Sequence, residues 1–73
     1  MAEVRVKSEI TGKVWQIEAK VGQTVAEEDP IVILESMKME IPVGAPVGGT
    51  VRQILVAEGD LVQEGQDVAI LDG

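Results

Sequence analysis

Residues 12–35 read GKVWQIEAKVGQTVAEEDPIVILE, and residues 49–72 read GTVRQILVAEGDLVQEGQDVAILD. Aligned with a shift of 37 positions and no gap, they agree at Gly12/Gly49, Val14/Val51, Gln16/Gln53, Ile17/Ile54, Gly22/Gly59, Val25/Val62, Glu27/Glu64, Ile33/Ile70 and Leu34/Leu71. Nine identities in 24 positions are well beyond coincidence in a chain of 73 residues. One unit is therefore written twice. A unit this small cannot bury a face alone, so the two copies are expected to pack on each other about a pseudo-twofold axis.

The kind of unit follows from its residues. Val and Ile supply 19 positions, Phe and Tyr are absent, and Trp15 is the single aromatic residue. Both β-branched types are stiff at χ1 and favour pleated surfaces. Val4, Val6 and Ile10 mark a first half-buried strand, and Gly12 opens a second that contains Val14 and Ile17. Val21–Thr24 reads as a tight turn, Val25 as a short strand, and Glu27–Pro30 as the next turn. Ile31–Leu34 is a short apolar run of the kind expected in a buried strand, with Ile33 and its twin Ile70 taken as core positions. Residues 36–39 form a hairpin tip, and Glu40–Val43 begins the return. The second copy repeats the order: a Gly48-Gly49 turn, strands at Val51–Val56, Leu61-Val62 and Val68–Leu71, and turns at Gly59 and Gly65. About eight short strands separated by turns predict an all-β sandwich or barrel. Where the second copy has Gly65-Gln66, the first has Glu28-Asp29, so the first of these turns is expected to be the less regular.

Length and composition narrow the function. One small domain, residues 1–73, is all this chain can form. There is no Cys, hence no disulfide framework, which suits a reducing compartment. There is no His, which removes the commonest general base and metal ligand. Met1–Ile10 alternates charged and apolar residues without the apolar core of a signal peptide, and no apolar run approaches membrane-spanning length. Thirteen acidic against six basic residues give a net charge of −7, which disfavours nucleic acid and favours partners with basic docking surfaces. The expectation is a cytoplasmic, monomeric protein.

Between the two copies stands Glu35-Ser36-Met37-Lys38-Met39-Glu40. Most lysines in turns serve only solubility. Here Met37 and Met39 bracket Lys38, and a hairpin tip offers them little core to reach. One could fold back over the barrel end; exposed, they make an adaptable apolar grip for a partner. Glu35 and Glu40 could be read as an acid–base pair, but no pocket, no His and no nucleophile beyond Lys38 supports that reading. An exposed ammonium is a poor nucleophile, so Lys38 would be acylated only by an enzyme that activates the acyl group and helps remove the proton. The chain reads as a substrate of an enzyme and a carrier thereafter.

The Met-Lys-Met tip, followed by Ala45-Pro46-Val47-Gly48-Gly49-Thr50-Val51 and Glu58-Gly59-Asp60-Leu61-Val62, resembles the biotinyl domains of the biotin/lipoyl attachment family. The resemblance runs from about Val6 to Leu71 and is greatest to the free-standing attachment proteins and biotin carboxyl carrier domains. It implies a flattened β-barrel of two four-stranded antiparallel sheets, a barrel-sandwich hybrid. It further implies that Lys38 is biotinylated by biotin protein ligase from biotinyl-adenylate, with Met37, Met39, Glu35 and Glu40 read by the ligase. The biotin would then carry carboxylate between biotin carboxylase and carboxyltransferase sites, the carrier itself being no enzyme. Ser36 stands where many biotinyl domains have Ala, and no extra loop is inserted in the first half. Lipoyl domains, which share the residue at Glu35, usually carry Asp-Lys-Ala at the tip. Lipoate, or both groups, is therefore the alternative, and an unmodified structural barrel a more distant one.

Overall fold

A computed structural model describes residues 2–73; Met1 lies outside the described residues. Among them are eight strands and no helix: β1 (Glu3–Lys7), β2 (Gly12–Ile17), β3 (Thr24–Val25), β4 (Pro30–Ser36), β5 (Met39–Gly44), β6 (Gly49–Ile54), β7 (Leu61–Val62) and β8 (Asp67–Asp72). The first strand shows why they form. In Glu-Val-Arg-Val-Lys every second residue is apolar, and Val4 and Val6 turn inward while Glu3, Arg5 and Lys7 stay in water. Ile10 falls beyond this strand, and the sixth strand starts at Gly49 and ends at Ile54.

The strands form two antiparallel four-stranded sheets, β1-β8-β6-β3 and β5-β4-β2-β7. Moving each strand four places along the chain turns one sheet into the other. The symmetry extends to single hydrogen bonds. Gly22 N–H donates to Val51 O at 2.7 Å, and its counterpart Gly59 N–H donates to Val14 O at 2.8 Å. Glu28 N–H donates to Ala45 O and Gly65 N–H to Ser8 O, both at 2.7 Å. Each half thus closes its turns on the other half, and the unit could not satisfy these groups alone. The core between the sheets is Val6, Val14, Ile31, Val32, Leu34, Val51, Val62, Val68, Ala69 and Leu71, all at most 2% exposed. The body is elongated, 36 × 19 × 18 Å.

Two expectations are corrected. The Glu27–Asp29 turn is as regular as its twin. Asp29 N–H reaches Ala26 O at 3.1 Å where Gln66 N–H reaches Gln63 O at 3.0 Å, and the Asp29 and Gln66 side chains accept from Ala26 N–H and Gln63 N–H at 2.9 and 3.0 Å. Glu28 simply adopts φ 72° where Gly65 has 85°, at a cost of roughly 1–2 kcal/mol for a residue with a Cβ. The surrounding hydrogen bonds over-determine the turn. Ile33 is not core either. Ladder pairs jump from Pro30↔Gly44 to Val32↔Val43, so Ile31 is the extra residue of a bulge. Ile31, Val32 and Leu34 point inward, and Ile33 is left on the outer face, half-buried. Ile70 lies on the corresponding face of the first sheet, between Arg5 and Gln53.

Candidate functional site

The tip is built on the ladder between β4 and β5, which runs from Pro30↔Gly44 to Ser36↔Met39. β4 is a central strand, held on its other side by β2. Gly12 allows that close approach: a Cβ there would stand 2.8 Å from the Glu35 carbonyl oxygen. Two residues, Met37 and Lys38, close the hairpin, with φ of 53° and 66°. This is the sign pattern of a type I′ turn, whose right-handed twist suits paired strands but which favours Asn and Gly. Each residue costs roughly 1–2 kcal/mol in that region. The result is a short, firmly based loop with a flexible lysine on it.

Five sequence-singled residues meet here. Lys38 is exposed, Met37 is 92% and Met39 62% exposed, so neither methionine folds back into the core. Glu35 and Glu40 stand directly opposite each other in the ladder, on the outer face of the second sheet. Lys38 lines neither of the two clefts found; the larger, about 650 Å³, runs past Arg5, Lys7, Glu27, Glu28 and Pro42. Among the described residues no His, Cys, Asp and Glu cluster is arranged to hold a metal. What the arrangement offers chemically is one accessible amine flanked by two exposed carboxylates, Glu35 and Glu40. Such a group can accept an acyl chain from a partner enzyme. No buried or crowded surface obstructs a long substituent at this point, so the site fits a covalently held cofactor.

Sequence reading passed over the outer face beside the tip. Trp15, the extra residue of a bulge in β2, is 46% exposed, and Leu61, which pairs with Lys13, is 77% exposed. The signal was available in the repeat itself, which sets Trp15 against Arg52 and Leu61 against Thr24.

Comparison with known proteins places this geometry. The family described as "Biotin-requiring enzyme" matches residues 2–71. A biotinylated protein TB7.3 homolog of Mycobacterium leprae is 41% identical over 66 residues, spanning 90% of this chain and 93% of the relative. The biotin/lipoyl attachment protein of Bacillus subtilis is 40% identical over 60 residues, 82% of each. The structure of Kluyveromyces lactis urea carboxylase contains a region that superposes on 99% of this chain with a TM-score of 0.93 and 39% identity, 6% of that much longer chain. No helix of the described residues is long and apolar enough to cross a membrane. The doubled four-strand unit thus recurs within a carboxylase structure, and the chain belongs to the biotin/lipoyl attachment domain family.

Proposed function

We propose that this chain is a biotin carboxyl carrier whose attachment point is Lys38. The observation that carries the reading is the placement of Lys38: exposed, between two exposed methionines, on a two-residue turn closing the longest ladder of the fold. Biotin protein ligase would form an amide between the Lys38 Nζ and the biotin carboxyl group, reading Met37, Met39, Glu35 and Glu40 around it. Bound biotin supplies the carboxylate-carrying chemistry, between a biotin carboxylase and a carboxyltransferase site. The chain's own residues supply position. The rigid ladder fixes the base of the arm, and the lysine side chain gives it reach, which raises its effective concentration at both partner sites. This role needs no catalytic group of the chain itself. The absence of cysteine suits work in the cytoplasm, as a monomer when free.

A second reading, lipoylation of the same lysine or acceptance of either group, is favoured by the name of the Bacillus subtilis relative. Met37 and Met39, in place of the Asp and Ala usual in lipoyl domains, favour biotin. Intact mass and peptide mapping decide between them, after incubation with ATP and either biotin protein ligase and biotin or lipoate ligase and lipoate. The expected product is a single biotinyl group on the peptide containing Lys38. A lipoyl group instead would favour the second reading, and an unchanged mass with both active ligases would contradict both.

A further inference from the structure

The two sheets share a backbone and differ on their outer faces. On the first, Glu3 stands opposite Asp72, a like-charge pair that destabilises unless a cation intervenes. Cations do intervene: the Arg52 guanidinium lies 3.3 Å from Glu3 and 3.8 Å from Asp72, and Arg5 reaches Glu3 at 3.5 Å. The pseudo-twofold carries that pair of carboxylates onto Glu40 opposite Glu35. It carries Arg52 onto Trp15 and Arg5 onto Pro42. The carboxylate pair beside Lys38 therefore lacks both guanidinium groups. None of the ion pairs among the described residues includes Glu35 or Glu40, although Lys13 stands opposite Glu35 in the ladder.

The same exchange uncovers apolar surface. Ile70, opposite Arg5, is 8% exposed, whereas its twin Ile33, opposite Pro42, is only half-buried. Long arginine stems can cover apolar neighbours; proline has no such reach. Trp15 and Leu61 extend this uncovered region. An exposed aromatic near a carboxylate pair that makes no ion pair is complementary to a protein surface with an apolar recess and a basic rim.

We propose that the outer face of the second sheet, centred on Trp15, Ile33 and Pro42 and bounded by Glu35 and Glu40, is the docking surface for the enzyme that modifies Lys38. That enzyme would place an arginine or lysine against the carboxylate pair, where Arg52 sits on the other face, and an apolar side chain against Trp15. The occupant is this enzyme because it must bring the bare Lys38 Nζ to its reaction centre, closer than partners reached through a lengthened arm, and Glu35 and Glu40 lie within three residues of Lys38. Its identity as biotin protein ligase rests on the carrier reading above.

The test is ligase kinetics on Trp15→Arg, which installs the residue found on the twin face. The expected result is a KM for the chain raised roughly tenfold with kcat within about twofold of wild type and no loss in unfolding midpoint. The mirror variant Arg52→Trp should leave KM where it is. Glu40→Gln, which preserves the apolar face, should raise KM in the same direction and weaken its dependence on salt. Unchanged KM in both Trp15→Arg and Glu40→Gln, or an equal rise in Arg52→Trp, would overturn the proposal. Biotin transfer with an unaltered KM would remove only the docking face, whereas a wild-type chain that takes no biotin would remove the carrier reading with it.

Discussion

The end of β4 and the end of β8 are the same place in the two halves, and only one of them is closed by a turn. At β8, Gly73 N–H donates to Ala2 O at 2.9 Å and extends the ladder with β1. At β4 the chain continues through Met37 and Lys38, both at positive φ. The β1–β8 ladder pairs without a two-residue link between its strands, so strand pairing alone does not call for the positive φ at the tip. On the carrier reading proposed above, the positive φ at Met37 and Lys38 serves to hold the lysine out from the body. Fold and function are then separable: the repeated part of the sequence builds the barrel, and the unrepeated part makes the proposed site.

If the halves are equivalent in their packing, the largest effects should come in matched pairs. Leu34→Ala and Leu71→Ala, both at 0% exposure, should each cost about 2–5 kcal/mol, and by similar amounts. Chemical denaturation gives the two values; a gap larger than about 2 kcal/mol would break the equivalence. A smaller, deliberately unequal pair comes next. Ile70→Ala should cost about 2 kcal/mol or more, and Ile33→Ala about half that, because only Ile70 is covered. Equal losses would contradict the difference between the two outer faces.

That unequal pair also marks where the sequence was legible. The 37-residue repeat, the succession of strands along the chain, the turns at Gly22 and Gly59 and the exposed tip were all readable, because identical residues recur at fixed spacing and Gly punctuates it. The burial of Ile33 was misread. An apolar run Ile31–Leu34 carries no mark of the bulge at Ile31, and one extra residue reverses which face each following side chain takes. The regular Glu28 turn was missed for a related reason. Its geometry is held by the local bond from Asp29 N–H to Ala26 O and by the bond from Glu28 N–H to Ala45 O, a residue the local sequence does not connect with it. At the tip, the residue types pointed to the lysine, but Met-Lys gives no hint of a turn that normally wants Asn-Gly. Trp15 was set aside as a lone aromatic; only its pairing with Arg52 under the repeat gives it a meaning.

Smaller effects sharpen the comparison further. Glu28→Gly should stabilise the chain by up to about 1 kcal/mol by relieving a positive φ, and Gly65→Ala should destabilise by a similar amount. Thermal unfolding of the two variants should move in opposite directions; shifts of the same sign would mean that the turns are not twins. The smallest effect lies on the charged face. Hydrogen bonds from Lys7, at 2.7 Å, and from Arg5, at 2.8 Å, hold the Asp67 carboxyl below its ordinary value. A lowered carboxyl contributes stability above its unfolded value, about pH 4, that disappears as pH falls through the folded value. Asp67→Asn should therefore flatten the decline in stability on the acid side and leave the second sheet's face untouched. An undiminished acid slope would show that these exposed ion pairs are energetically silent.

The most direct test of the separation between body and tip is a single variant, Lys38→Arg, followed by two readouts. Intact mass after exposure to active biotin protein ligase should show no added group, while the denaturant midpoint stays that of the wild type, because the tip buries almost nothing. Biotin still attached to the Lys38→Arg chain, or a midpoint that falls with the loss of labelling, would contradict the account.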